Sequence, residues 1–180
     1  TVSGEYVTAI ETALGAAVSN IVVENEDSAK AAIRFLKNSN AGRATFLPLT
    51  SINAKVTEEK GLTASQGYIG LACDLVSFEE KYRIVAEYLL GRTVVCDNID
   101  NASTIAKKYS YRFKIVTLDG QVINSGGSYT GGSNTARTGV MSRNADIANL
   151  EESISSLGAR MKQIKEEIKQ TDEECSSSIE

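Results

Sequence analysis

Residues 121–133 read Gln-Val-Ile-Asn-Ser-Gly-Gly-Ser-Tyr-Thr-Gly-Gly-Ser, so an apolar run, Val122-Ile123, passes directly into two glycine pairs, Gly126-Gly127 and Gly131-Gly132. A flexible Gly/Ser linker would carry the same composition. The continuity with an apolar strand argues instead for extended backbone. In an extended chain, alternation puts Gly126 and Gly132 on one face and Gly127 and Gly131 on the other. A glycine inside a strand costs roughly 0.5–1 kcal/mol relative to alanine. Four in one short stretch make sense where another backbone approaches closely. The expectation is a strand edge, Gly126, Gly127, Ser128, Tyr129, Gly131 and Gly132, that meets a second copy of the chain. Neither G-x-x-x-x-G-K-[ST] nor G-x-G-x-x-G occurs here, so the stretch is not read as a phosphate cradle.

Upstream, Phe113 to Leu118 reads as a strand that turns at Asp119-Gly120 into Gln121-Val122-Ile123. Thr93 to Cys96 reads as another strand, and Asp100 to Tyr109 as the helix between the two. Phe78 to Leu90 has helical spacing, and Tyr68 to Leu71 is a short extended segment. An earlier set repeats this order: a helix over Glu5 to Val18, a short buried strand Ile21-Val22-Val23, a helix capped by Asp27 or Ser28 with Ala29, Ala32, Ile33 and Leu36 inward, and a strand Ala44 to Leu47 closed by Pro48. Leu14-Gly15, Val22-Val23 and Asp27-Ser28-Ala29 run parallel to Leu90-Gly91, Val94-Val95 and Asp100-Asn101-Ala102. The expected fold class is therefore α/β (α+β), an internal duplication giving two similar lobes on a shared core.

Past residue 143 the pattern changes. Ile147, Leu150, Ile154, Leu157, Met161, Ile164 and Ile168 are spaced alternately by 3 and 4, the seam of a coiled coil, with Thr171 and Cys175 continuing it less apolarly. Flanking positions hold Glu151, Arg160, Lys165, Glu167, Asp172 and Glu174, and Gly158 is the weak point. The repeat of 3.5 keeps two helices wound together, and no second heptad run exists in the sequence. The expected division is a body over 1–142 and an arm over 143–180. Charge follows it: residues 146–180 carry nine acids and four bases, the rest 14 acids and 15 bases.

The chain of 180 residues contains no histidine, which removes Ser/His and Cys/His catalytic constellations and imidazole metal sites. Cys73, Cys96 and Cys175 are far apart and odd in number, so they suggest reduced thiols in a cytoplasm rather than a disulfide framework. Cys73 and Cys96 sit in apolar runs and read as buried packing. No catalytic residue, cofactor or metal is expected, and no membrane partner. Cations alternate with aromatics over Lys107-Lys108-Tyr109-Ser110-Tyr111-Arg112-Phe113-Lys114, a pattern seen on nucleic-acid surfaces. The plainer reading packs Tyr109, Tyr111 and Phe113 inward and lets the lysines close a helix. Lys107, Lys108, Arg112, Lys114, Arg137 and Arg143 are the candidate DNA-contacting residues.

Taken together, Ala13-Leu14-Gly15, Asn20-Ile21-Val22-Val23-Glu24, Gly42-Arg43-Ala44-Thr45-Phe46-Leu47-Pro48-Leu49, Thr117-Leu118-Asp119-Gly120 and the glycine pairs, each followed by serine, resemble the hinge domain of bacterial structural maintenance of chromosomes (SMC) proteins. The resemblance covers about Glu5 to Arg143. It implies the SMC hinge fold of two pseudo-symmetric lobes, homodimerisation with the glycine pairs at the contact, and some DNA contact, weak or indirect for this chain. It also implies a nucleoid-associated location and ATP hydrolysis by head domains at the far end of the arms. The chain opens at Thr1 with few residues before its first helix, so an incoming arm that pairs with the seam is expected outside it. Many relatives carry a lysine cluster after the second glycine pair, where Asn134-Thr135-Ala136-Arg137 stands here. The alternative is a small-molecule-binding α/β domain with a coiled-coil oligomeriser.

Overall fold

The computed structural model describes residues 1–132 and 140–177; Ser133 to Arg137 lie outside them, as do the side chains of Arg143, Glu167, Thr171, Asp172, Glu174 and Cys175. Two units are present, a body and the arm helix.

Within the body the same order of elements is built twice. In the first copy a 3-10 turn, Gly4–Tyr6, leads into helix α1 (Val7–Leu14), strand β1 (Ile21–Val23), helix α2 (Glu26–Asn38) and strand β2 (Phe46–Pro48). After strand β3 (Tyr68–Leu71), the second copy runs through a 3-10 turn, Glu80–Tyr82, helix α3 (Arg83–Leu90), strand β4 (Thr93–Cys96), helix α4 (Ile99–Lys108) and strand β5 (Lys114–Thr117). Local chemistry repeats as well. Leu14-Gly15 and Leu90-Gly91 end α1 and α3. Asn25 caps α2 by accepting from the Ser28 N–H, and Asn98 caps α4 by accepting from the Asn101 N–H, so α2 begins earlier than at Asp27 or Ser28. The strand pairs share one parallel register, Ile21↔Phe46 with Val22↔Leu47 in the first copy and Val94↔Ile115 with Val95↔Val116 in the second.

The copies differ in what surrounds those strands. Among the described residues, strands β1 and β2 form a two-stranded sheet, whereas β4 and β5 are flanked by β3, β6 (Val122–Ile123) and β7 (Tyr129–Thr130) in the order β3-β4-β5-β6-β7. The core is built on the larger sheet: Val94, Val95, Ile115, Val116 and Ile123 are sealed from solvent together with Ile105 of α4 and Ile10 of α1. Helix α1 thus crosses from the first copy to pack on β5 and α3. The β1 strand, by contrast, is not buried as its apolar run predicts, because Ile21 and Val22 are exposed, as are Ile33 and Phe35 of α2.

The segment 50–67 has no regular structure, yet it is fastened to the second copy. Leu62 is buried, the Tyr109 hydroxyl donates to the Lys60 carbonyl at 3.0 Å, and the Thr57 N–H donates to the Gly91 carbonyl at 2.8 Å. Gly91 fits there because any β-carbon would meet the carbonyl oxygens of Glu87 and Lys55 at 2.5 and 2.8 Å. The arm is one helix, α5 (Val140–Ser177), 38 residues and about 57 Å long at 1.5 Å per residue. It begins before residue 143, so its first turn lies on the expected body side of the boundary.

Cys73 and Cys96 are buried, and desolvation pushes both thiols up to about 11. The neutral thiol is the form the fold favours, so this contribution to stability is complete below the ordinary thiol range near 9 and is lost as pH rises toward 11. Both cysteines should therefore resist iodoacetamide at pH 8 until the chain is unfolded. Thermal stability should fall between about pH 9 and 11 in the parent and fall less in Cys96→Ala measured against its own value at pH 8, which calorimetry would check.

Candidate functional site at the glycine-paired edge

Strands β6 and β7 form a hairpin with Val122 opposite Thr130 and Ile123 opposite Tyr129. The first glycine pair is not extended, as the alternation reading expects, but turns the chain between them. Gly126 and Gly127 have φ of +89° and +97°, and the Gly127 N–H donates to the Asn124 carbonyl at 3.0 Å. The turn is pinned from outside by the Gly126 N–H, which donates to the Tyr111 carbonyl at 2.9 Å. Consequently the two glycine pairs do not share the faces of one strand.

Each glycine answers a different demand. A β-carbon on Gly131 would run into the side-chain amide of Gln121, while one on Gly127 would sit 3.6 Å from the Tyr111 ring; Gly126 and Gly132 face open space. The Gln121 amide acts as a substitute strand residue. Its Oε1 accepts from the Gly132 N–H at 3.1 Å, and its Nε2 donates to the Gly132 carbonyl at 3.3 Å. Close approach is thus present at Gly131, though the group that approaches is a side chain of the same chain and not a second backbone.

What the hairpin leaves open is its outer flank. The Asn124 N–H donates inward to the Ser128 carbonyl at 2.8 Å. Alternation along an antiparallel ladder then turns the main-chain groups of Ser128 and Thr130 toward β6 and those of Tyr129 and Gly131 away from it. Among the described residues strand β7 is the last in the sheet, and Ser128, Tyr129, Thr130, Gly131 and Gly132 are all exposed. The edge is held rigidly from behind: the Tyr129 hydroxyl lies 2.9 Å from Ser103 Oγ on α4. A hydrogen bond with Tyr129, aided by desolvation, raises the Tyr111 hydroxyl above the usual tyrosine range. Sequence reasoning missed Gln121, Ser103 and the supporting role of Tyr111. The short hairpin implied by Asp119-Gly120 and the glycine turn was the signal that could have set Gln121 opposite Gly131.

The basic segment after α4 is largely used internally. Lys114 Nζ points inward and donates to the Ala13 and Thr12 carbonyls at 2.9 and 3.4 Å, closing the C-terminal end of α1, and desolvation lowers its pKa. This corrects its place among the DNA-contacting candidates, since an ammonium occupied by helix carbonyls is not offered to phosphate. Arg112 pairs with Glu59 at 3.0 Å, and Lys108 lies 5.2 Å from the Tyr109 ring centroid. Lys107 is exposed. Arg137 and the Arg143 side chain lie outside the described residues. Tyr109 and Phe113 do pack inward, their ring centroids 5.6 Å apart, but Tyr111 leaves the alternation at φ +55° and is only half-buried. On the arm, Ile147, Leu150, Ile154, Leu157, Met161, Ile164 and Ile168 are all exposed.

Residues 1–106 match the family described as SMC proteins Flexible Hinge Domain. Chromosome partition protein Smc of Clostridium kluyveri is 41% identical over 170 residues, covering 89% of this chain and 14% of the relative. The protein of the same name from Methanocaldococcus jannaschii is 50% identical over 128 residues, covering 71% of this chain and 11% of its own. The chain thus spans about a seventh or less of the length of these relatives. Among solved structures, an asymmetric dimer of the Geobacillus stearothermophilus SMC hinge domain is similar with a TM-score of 0.74 at 37% identity, covering 91% of this chain and 67% of that one. A Pyrococcus furiosus Smc hinge domain with an extended coiled coil gives 0.63 at 30% identity, covering 94% and 60%.

A β-carbon at Gly131 makes the flexible Gln121 amide swing aside from Gly132, so Gly131→Ala should lower stability by about 0.5–1.5 kcal/mol through those lost hydrogen bonds. In a Gln121→Ala background, where the bonds are already gone, the same substitution should cost almost nothing further. Denaturant titration of the two single variants and the double variant would read this coupling.

Proposed function

From the premise that this chain belongs to the SMC hinge family, we propose that it is the homodimerisation hinge of a chromosome partition protein, residues 1–142 forming the joint and residues 143–180 the start of one coiled-coil arm. The observation that carries the reading is the exposed β7 edge, with the main-chain groups of Tyr129 and Gly131 turned outward. An unpaired edge is a template for another strand. The two-stranded sheet of β1 and β2, whose Ile21 and Val22 are exposed, is the sheet that would receive it from a partner. Under two-fold symmetry this makes two equal junctions and a ring-like body. The Geobacillus stearothermophilus hinge is an asymmetric dimer, which supports association of two copies.

In this reading the chain does no chemistry. ATP turnover is assigned to the head domains of the longer protein, and the exposed seam on α5 is covered by an incoming arm. The joint acts mechanically, holding two arms together at the nucleoid. DNA contact at the end of α4 would rest chiefly on Lys107, since Lys108 and Arg112 already have partners.

Proline at position 129 removes an outward N–H, together with the ring and its contact to Ser103, and is tolerated on a sheet edge. Tyr129→Pro should convert a dimer into a monomer in sedimentation velocity while the far-ultraviolet circular dichroism stays unchanged. Tyr129→Phe, which loses only the hydroxyl contact to Ser103, should remain dimeric. A Tyr129→Pro chain that still sediments as a dimer would place the junction elsewhere.

A further inference from the structure

The duplicate helices α2 and α4 stop in the same way. At the end of α2 the Ala41 N–H donates to the Leu36 carbonyl at 3.0 Å and the Asn40 N–H to that of Lys37 at 3.4 Å. At the end of α4 the Tyr111 N–H donates to the Ala106 carbonyl at 2.8 Å and the Ser110 N–H to that of Lys107 at 3.1 Å. This pair of bonds closes a helix around one left-handed residue, Asn40 at φ +50° in the first copy and Ser110 at φ +53° in the second. The second copy then does something the first does not. Tyr111 is left-handed as well, at φ +55°, although the helix stop does not require it. Among the described residues only these three non-glycines have positive φ, and Tyr111 is the one bulky side chain of the three, in a region that bulky side chains avoid.

Backbone of this kind persists where its surroundings hold it. On one side Tyr109 is buried, with its hydroxyl bonded to the Lys60 carbonyl and its ring beside Phe113. On the other, the Arg112 carbonyl accepts from Arg92 Nη2 at 3.0 Å, and the Arg112 guanidinium is paired with Glu59. What the kink achieves is found at the hairpin. The Tyr111 carbonyl takes the Gly126 N–H, its ring lies against Gly127, and its hydroxyl is hydrogen-bonded with Tyr129. One strained residue thus touches both glycines of the turn and the first residue of β7. An ordinary φ at position 111 would redirect the carbonyl and the ring and release these contacts.

We infer that Tyr111 is a positioning residue for association between copies, its left-handed backbone and ring holding the glycine turn so that β7 is offered ready-formed to a partner. The inference rests on the proposed junction at β7. An edge already in its bound shape has less ordering to undergo on docking, so Tyr111 sets affinity without itself touching the partner.

The test is sedimentation of the 180-residue chain across a range of concentrations, with thermal unfolding and amide exchange at Gly126 on the same samples. Tyr111→Gly adopts a left-handed φ without strain but supplies no ring. It should raise the dimer dissociation constant roughly tenfold and speed exchange at Gly126, with unchanged circular dichroism. Tyr111→Phe keeps the ring and should keep the parent constant. Ser110→Gly, at the helix stop, should raise the unfolding temperature and leave the constant alone, which separates positioning from simple stability. The proposal is overturned if Ser110→Gly weakens the dimer as much as Tyr111→Gly does. Tyr129→Pro tells the two readings apart. If it dissociates the dimer while Tyr111→Gly keeps the parent constant, only the role of Tyr111 falls; if it stays dimeric, the junction is elsewhere and both fall.

Discussion

The packing of α1 onto β5 is the contact on which the body depends. Ala9 and Ile10 are fully buried although the helix belongs to the first copy of the repeat and the strand to the second. Lys114 completes the contact from the strand side by donating to the last carbonyls of α1. A lysine half-withdrawn from water is costly unless its donors are used, and helix-end carbonyls lack partners of their own, so each relieves the other. Because α1 is committed in this way, the second sheet gains a cover and the first is left thin. Two parallel strands with Ile21 and Val22 facing solvent make a marginal sheet on their own. Two similar stretches of sequence thereby acquire different fates: one becomes the core, the other a surface.

Much of this was legible in the sequence. The order of helices and strands, the repeated Leu-Gly, the hairpin at Asp119-Gly120 and the heptad seam all follow from spacing and turn chemistry, which are local. What spacing could not supply was burial. Val22-Val23 and Val94-Val95 look alike as letters, yet only the second pair lies sealed inside the larger sheet, whose neighbouring strand β5 is covered by a helix that arrives from elsewhere in the chain. Lys114 misled for the same reason, since a lysine beside aromatics reads as a surface cation until the carbonyls of Thr12 and Ala13, some hundred residues away, are brought against it. The helix cap was displaced by two or three residues because Asn25, Asp27 and Ser28 can all cap, and the choice fell to the one whose oxygen reaches the Ser28 N–H.

The glycine pairs show how a correct location can come with an incorrect cause. Alternation assumed a single extended strand, whereas positive φ at Gly126 and Gly127 reverses the chain. Bareness at Gly131 is explained by Gln121 within the same molecule. The structural grounds for an edge open to a partner now rest on main-chain direction along β7 and on the absence of a neighbouring strand there among the described residues. Absence of side chains no longer carries that argument.

A junction formed through amide and carbonyl groups makes few demands on the residues that present them. Ser128 and Thr130 can drift through many substitutions without disturbing the pattern of donors and acceptors that β7 offers, while Gly126, Gly127 and Gly131 are tied to backbone shape and to their own neighbours. Divergent lineages could therefore rewrite the chemistry along this rim and still keep their copies joined, leaving the scaffold glycines as the slowly evolving part.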